Sequence, residues 1–370
     1  MYLEKINLIN YRNIKKNIIS VSPHINILLG NNGQGKTNLL ESIYLMGTGS
    51  SHRTNINKEL ITWEKNKSLV QMLLVKKDYS LKLTLKLEGS SKKVEINNTP
   101  LEKFSELIGN LNVVLFSPED LYLIKGSPSK RRDFINIEVS QVSSYYHHLI
   151  KDYNHILRQR NNYLKELKEK RSKNYDMLDI WDEKLITTGS KIIEKRLEVI
   201  EKLQILARLS HRKITNGSEN LSITYESSLG DNLNNIDISV IFRKQLANNR
   251  KDEVFRGYTL LGPHRDDLVL KINKIDLRKY GSQGQQRTAA LALKLAELEF
   301  MKSETGEYPV LLLDDVFSEL DELRRDTLLN LIAEKIQTFI TATDMNVLGN
   351  LSNSRYKIFQ VENGLIKSKE

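Results

Sequence analysis

At 370 residues the chain has room for about two domains and buries a large core without metal or disulfide staples. Its 39% hydrophobic and 28% charged residues read as globular rather than disordered, and the absence of cysteine excludes disulfide scaffolds, thiol nucleophiles and Cys-based zinc sites. A formal net charge of +10 favours polyanionic partners, because Lys and Arg near phosphates release condensed counterions, although a composition rich in Lys, Ile and Asn gives such an excess on its own.

The opening MYLEKINLINYRN carries Glu4, Lys5 and Arg12, so it has no signal-peptide core, and no apolar run approaches the ~18 residues of a membrane span. A soluble, cytoplasmic protein is expected. Residues 1–29 read as strands, first through Leu3, Ile6 and Leu8, then through the run Ile25–Leu29 that ends on Gly30. Residues 69–96 predict a β-meander: Leu81, Leu83, Leu85 and Leu87 alternate with Lys82, Thr84 and Lys86, the period of a sheet with one wet face. Turns fall at Lys76–Tyr79 and Glu88–Lys92, and a further strand at Leu111–Phe116 stops at Ser117-Pro118.

From Ser127-Pro128 a cap and a first-turn proline open a helical region that persists to about residue 213. Leu149, Tyr153, Ile156, Leu157, Leu164 and Leu167 keep three-to-four spacing, as do Leu178, Trp181, Leu185, Ile192, Leu197, Ile200 and Leu203. The polar stretch Glu169–Asn174 between them implies two antiparallel helices forming a short arm. Segment 215–236 has loop composition around one short strand, and strands return near 267–272, 309–313 and 337–342. The helical part is therefore expected as an insertion, residues 141–249, in a discontinuous α/β head made of 1–140 and 250–370.

Gly30-Asn31-Asn32-Gly33-Gln34-Gly35-Lys36-Thr37 matches GxxxxGK(S/T), with an apolar strand before it and a helix after it carrying Leu39, Leu40 and Ile43 on one side. Glycines let the backbone curl until successive N–H groups point at phosphate oxygens, and the helix N-terminus adds its positive end. In such a loop Lys36 reaches the β- and γ-phosphates of ATP and Thr37 holds Mg²⁺ through its hydroxyl. The buried strand Val310–Leu313 ends on Asp314 and Asp315. Asp314 is the expected second Mg²⁺ ligand, and Asp315 the carboxylate that polarises the attacking water.

Tyr280-Gly281-Ser282-Gln283-Gly284-Gln285-Gln286 precedes an amphipathic helix, with Ser282 placed to cap it and Gly284 allowing close backbone approach. Lying before LLLDD and after a P-loop, it resembles the signature (LSGGQ-like) motif of ABC proteins. In that family the signature of one subunit, here Ser282, Gly284 and Gln285, covers the γ-phosphate held by the P-loop of the other. Ser318-Glu319-Leu320-Asp321 resembles the D-loop. Thr343 or Asp344 stands where ABC proteins usually carry a switch histidine, and Asp315 where they usually carry Glu, so slow hydrolysis is expected. Thr37 and Ser282 are 282 − 37 = 245 positions apart, with the helical arm between them. That is the plan of SMC and Rad50 heads rather than of a transport cassette, with an arm far shorter than theirs.

LINYRN (8–13), GNNGQGKTNLLESIY (30–44), FSPEDLYLIKGSPSKRRDFIN (116–136), LLGPHRDDL (260–268), GSQGQQRTAALALKLAE (281–297) and LLLDDVFSELD (311–321) together resemble the RecF family of bacterial recombination-mediator ATPases over essentially the whole chain. The resemblance implies an ABC-type α/β head of mixed sheet and helices, an antiparallel β-meander and an inserted helical arm. It implies a weak DNA-dependent ATPase that dimerises with ATP and binds double-stranded DNA or a duplex/single-strand junction. It also implies work with RecR and RecO in loading RecA at gaps, and a place in the SOS response. Arg12 would match the arginine after the first strand of SMC-like heads, which approaches the nucleotide. Lys125, Lys130, Arg131 and Arg132 cluster where phosphate contacts are plausible, and a solvated helix start explains them equally well. The arm-tip lysines alternate with Glu166 and Glu169 and read as a solvated face. His264, Asp266 and Asp267 read as a hydrogen-bonded turn before a strand rather than a metal site. Two other readings stay open: a standalone P-loop ATPase, and an SMC-like architectural clamp whose ATP is structural.

Overall fold

The alternation at the start of the chain makes β1 (Tyr2–Tyr11) and β2 (Ile14–Ser20), paired antiparallel about Arg12, whose φ of 51° lies in the left-handed region. All of the chain except residues 172–173, 232, 234–236, 319, 333–334, 346–354 and 370 is described by this computed structural model. The apolar run that follows is β3 (Ile25–Leu29), buried along its length, and α1 (Lys36–Thr48) leaves the P-loop. The meander is β4 (Lys67–Val75), β5 (Ser80–Glu88) and β6 (Ser91–Ile96), with Leu83, Leu85 and Leu87 buried and Lys86 exposed, followed by the short β7 (Thr99–Pro100). Then come β8 (Val113–Phe116), α2 (Leu121–Lys125) and α3 (Pro128–Val142). Pro128 does start α3, but the Ser127 hydroxyl meets Ser129 Oγ at 2.7 Å instead of capping the backbone.

The helical region is α4 (Ser144–Lys168) and α5 (Asp176–Ile214), antiparallel, since Arg160 meets Asp182 and Tyr146 meets Arg196. After β9 (Leu221–Glu226) comes α6 (Ile238–Arg256), a helix not among the expected elements, which packs on both α4 and α5. The chain continues through β10 (Asp267–Ile272), β11 (Ile275–Asp276), α7 (Leu277–Tyr280), α8 (Gln283–Thr305), β12 (Val310–Asp314), α9 (Glu322–Ile332), β13 (Thr338–Ala342) and the C-terminal hairpin β14 (Tyr356–Glu362) and β15 (Leu365–Lys369). The expected boundary at 249/250 falls inside α6, and β9 pairs with β10 across it.

Among the described residues three sheets form. The antiparallel one runs β2-β1-β4-β5-β6-β7, the small one β11-β10-β9, and the central one β15-β14-β3-β13-β12-β8, with β14, β3, β13, β12 and β8 parallel. Strand alternation sends Val310, Leu312 and Phe339 to the core shared with α1 and the antiparallel sheet, and Leu311, Leu313 and Ile340 to the core shared with α3, α5 and α8. Gln337 pins the two large sheets together: its Oε1 accepts the Leu3 N–H and its Nε2 donates to the Leu3 and Ser22 carbonyls, each at 2.7 Å. Because β3, β13 and β12 are parallel neighbours, their carboxyl ends bring the P-loop, Thr341 and Asp314 to one edge.

Candidate nucleotide site

The P-loop curls tightly because its glycines have no alternative. Gly35 has φ 114°, and a Cβ there would come within 2.7 Å of Asn13 Oδ1, while a Cβ on Gly30 would run into the Val361 carbonyl. Asn31, Asn32, Gly33, Gln34, Gly35, Lys36, Thr37 and Asn38 line a cleft of about 390 Å³ together with Arg53, Pro118, Asp314, Asp315 and Thr341. The Lys36 ammonium folds back onto the loop, donating to the Gly30 carbonyl and, at 2.9 Å, to the Asn31 carbonyl. Burial lowers its pKa, against the pull of Asp315 and Asp314.

Thr37 Oγ1 donates to Asp314 Oδ1 at 2.9 Å, and Thr341 Oγ1 donates to the same oxygen at 2.8 Å. Thr341 also accepts the Asp315 N–H at 2.9 Å, which helps hold Asp315 at φ 54° with its side chain exposed at the cleft. Hard oxygens from one hydroxyl and one carboxylate fit Mg²⁺, which usually takes one or two carboxylates and completes its shell with water and phosphate. No cluster of three or more His, Cys, Asp or Glu able to hold a metal exists among the described residues.

Arg12 is spent elsewhere. Its guanidinium forms a fork with Glu41 of α1 at 2.8 and 2.6 Å and donates to the Glu59 carbonyl at 2.9 Å, and it does not line the cleft. Glu41 is fully buried; burial alone would raise its carboxyl, but Arg12 and Ser51 hold it below the ordinary range. The arginine at the cleft is Arg53, which hydrogen-bonds Asn38 Oδ1 at 2.8 Å. No motif marked Arg53 or Thr341. Arg53 stands in an irregular segment, and Thr341 is two residues before the position expected to replace the switch histidine; Thr343 and Asp344 are exposed.

The signature segment lies outside the cleft of its own P-loop. Ser282 caps α8 as its sequence predicts: its Oγ accepts the Gln285 N–H at 3.2 Å, and Gln285 Oε1 accepts the Ser282 N–H at 3.0 Å. Gly284 is exposed and open enough for a Cβ. Arg324 of α9 donates to Thr288 Oγ1 at 2.6 Å and to the Gly284 carbonyl at 3.3 Å, tying the segment after the D-loop to α8. Of the D-loop itself, Ser318 Oγ donates to the Asp315 carbonyl at 2.7 Å, and Glu319 lies outside the described residues.

Residues 2–367 match the family model described as RecF/RecN/SMC N terminal domain. The chain is 58% identical to the DNA replication and repair protein RecF of Halothermothrix orenii over 369 residues, covering 99% of this chain and 98% of that one. It is 44% identical to the RecF of Ligilactobacillus salivarius, covering 99% and 97%. The chain belongs to the RecF family. A solved structure of the recombination mediator protein RecF-ATP in the RecFOR pathway superposes with a TM-score of 0.92 at 36% identity, covering 100% of this chain and 98% of that one. The Smc head domain of Pyrococcus furiosus shares the fold, with a TM-score of 0.55 at 18% identity.

In this RecF-family chain the basic block after β8 divides. Lys125 and Lys130 are exposed. Arg131 is 3% exposed, forked onto Asp267 at 2.7 and 2.7 Å and bonded to the Gly126 carbonyl at 2.9 Å; Arg132 donates to the Asp266 carbonyl at 2.9 Å. The Arg131 guanidinium is buried and paired, unlike the free surface charge expected of a phosphate contact, whereas Arg132 is half-buried with a single backbone carbonyl as partner. Their partners explain the Gly262–Asp267 block. Asp266 accepts from Tyr225 and from the Ser228 N–H at 2.7 Å, and His264 Nδ1 meets Tyr153 Oη at 2.7 Å. Arg196 of α5 donates to the Pro263 carbonyl at 2.7 Å. The block is a hydrogen-bonded turn that fastens α3, α4, α5 and β9 to one another.

Proposed function

We propose that this chain is an ATP-dependent DNA-binding protein of recombinational repair and replication. ATP and Mg²⁺ drive head-to-tail dimerisation on double-stranded DNA or a duplex/single-strand junction, and slow, DNA-dependent hydrolysis releases it. The observation that carries the reading is the pair of half-sites: a cleft with Lys36, Thr37 and Asp314 converging on it, and a capped helix N-terminus at Ser282 that does not face that cleft. Two copies arranged head to tail supply each cleft with the helix end it lacks.

Within one cleft, Asn31 to Gly35 offer backbone N–H groups to the phosphates, with Gln34 and Asn32 at the rim. Lys36 exchanges the Gly30 and Asn31 carbonyls for β- and γ-phosphate oxygens. Thr37 and Asp314 would hold Mg²⁺, which would supply positive charge against the phosphate oxygens. Asp315 orients the attacking water; being one methylene shorter than glutamate, it does so at longer reach, which supports slow turnover. The RecF-ATP relative supports ATP as the nucleotide. DNA as partner, RecR with RecO and RecA beyond it, a role in the SOS response and a cytoplasmic location follow from family membership. No described helix is long and apolar enough to cross a membrane.

Sedimentation with ATP, ADP and no nucleotide, with and without duplex DNA, tests this on wild type, Lys36→Met and Ser282→Arg. ATP-driven dimers in wild type alone are expected. A Ser282→Arg variant that dimerises normally refutes the head-to-tail arrangement, and nucleotide saturation of a monomer with no salt-sensitive DNA affinity would favour a standalone P-loop ATPase.

A further inference from the structure

The side chain of Gln285 is used at both ends. Its Oε1 accepts the Ser282 N–H at 3.0 Å, and its Nε2 donates to Glu219 Oε1 at 2.8 Å. A serine hydroxyl has one proton and two acceptor sites. Since Ser282 Oγ accepts the Gln285 N–H, its proton is directed away from the helix end, and the residue is exposed.

Glu219 reaches this place because of how α5 stops. Asn216 and Gly217, at φ 48° and 78°, turn the chain out of the helix, with the Gly217 N–H on the Arg212 carbonyl at 2.8 Å. Two residues later Glu219 stands between the end of α5 and the start of α8, its side chain 23% exposed. Its second oxygen is 3.7 Å from Nε2 of His211, a fully buried imidazole in the last turn of α5. A carboxylate on the loop that leaves the arm helix thus accepts from the signature amide, through a charge-assisted bond stronger than a neutral one.

We propose that Glu219 is a positioning residue for the signature. By clamping Gln285 it preorganises the capping box and aims the Ser282 hydroxyl at the terminal phosphate presented by a second copy, and because its loop starts where α5 ends, the clamp follows the arm. This rests on the head-to-tail reading above. The ATP-dependent dimerisation constant, the ATP affinity of dilute monomer and the melting temperature are measured for wild type, Glu219→Ala, Glu219→Gln and Gln285→Met, with Ser282→Arg as control. Glu219→Ala weakens dimerisation roughly tenfold, the worth of one charge-assisted hydrogen bond. Monomer ATP affinity stays at the wild-type value, and melting falls by no more than about 2 °C, the worth of the same bond in the folded monomer. Glu219→Gln, which keeps an acceptor for the amide, dimerises within about threefold of wild type, a difference well below one such bond. Gln285→Met reproduces the defect, so the inference stands on two sites should Glu219→Ala fold poorly. If Ser282→Arg blocks dimerisation while Glu219→Ala and Gln285→Met dimerise like wild type, the clamp is refuted and the head-to-tail reading survives. If Ser282→Arg dimerises normally, both fall.

Discussion

Arg131→Ala separates a buried strut from a DNA contact. The guanidinium is 3% exposed and makes two 2.7 Å bonds to Asp267, whose side chain is 19% exposed, as well as one to the Gly126 carbonyl. Truncation leaves Asp267 with the Leu268 N–H at 2.8 Å and the Gly126 carbonyl without this donor. Breaking a buried pair from one side costs about 3–5 kcal/mol, and the partial exposure of Asp267 puts this case near ~3. With an unfolding entropy of ~2.1 cal/mol/K per residue, 370 residues give about 0.8 kcal/mol/K, so the melting temperature should fall by about 4 °C. Removing Asp267 as well should restore part of the loss, because the carboxylate no longer lacks its partner. Differential scanning calorimetry of Arg131→Ala, Asp267→Ala and the double variant measures this. Lys125→Ala and Lys130→Ala, both exposed, should leave melting unchanged and lower DNA affinity with a reduced salt slope. If Arg131→Ala melts within about a degree of wild type, far less than the cost of a broken buried pair, yet loses DNA affinity, the burial reasoning is wrong and Arg131 is a phosphate ligand.

A second buried group answers differently to substitution. Glu138 is 4% exposed and pushed well above the ordinary carboxyl range by burial, then by Glu297, while Lys294 is ion-paired to Glu297 at 2.5 Å. Burial thus favours the uncharged form of Glu138, so Glu138→Gln should melt close to wild type, whereas Lys294→Met strands the buried Glu297 carboxylate and should cost about 3–5 kcal/mol by urea titration. His264 is held to about 4 by burial, below its unfolded value of ~6.5. Between those values the unfolded chain binds the extra proton, so the His264 contribution to stability is complete above pH 6.5 and is lost as pH falls toward 4. The slope of melting temperature over that window should be shallower in His264→Gln than in wild type. Thr37→Val should weaken Mg²⁺-dependent ATP binding while sparing nucleotide binding without the metal, read by fluorescent-nucleotide titration with and without chelator. Gly35→Ala, strained at φ 114° and with its Cβ against Asn13, should abolish ATP binding in the same assay.

What the sequence disclosed of the site is what local chemistry demands. Glycine spacing, a lysine and a threonine specify a loop, an apolar run ending in two aspartates specifies a strand edge, and Ser282 ahead of an amphipathic helix specifies a cap. Each of these is decided within a few residues. Arg53, Thr341 and the use made of Arg12 were not legible, because they depend on which strands become neighbours. Thr341 meets Asp314 only since β13 inserts between β3 and β12. Arg12 turns to Glu41 only since α1 runs beneath the β1–β2 turn. Arg131 and Asp267 are 136 positions apart, and a run of basic residues looks the same whether solvated or paired across that distance.

The arm shows the same limit in its packing. Leucine spacing in α5 predicted a seam toward one antiparallel partner, yet buried positions run through Leu185, Ile186, Gly189, Ser190, Ile192, Ile193, Arg196, Val199, Ile200 and Leu203, adjacent pairs included. A face that wide is broader than a coiled-coil seam and requires two neighbours, which are α4 on one side and α8 on the other. Gly189, where a Cβ would sit 2.7 Å from Phe242, and Arg196, bonded to Tyr146, Asn136 and the Pro263 carbonyl, interrupt the apolar run at the places where α6 and the Gly262–Asp267 turn close on it. The lower half of α5 is therefore part of the head core, packed along the helix that Ser282 caps. Close packing does not let one of two interdigitated helices move without displacing the other. The contact between α5 and α8 runs from Lys202 on Glu304 to Glu219, past the end of α5, on Gln285, the end that the head-to-tail dimer would press against ATP.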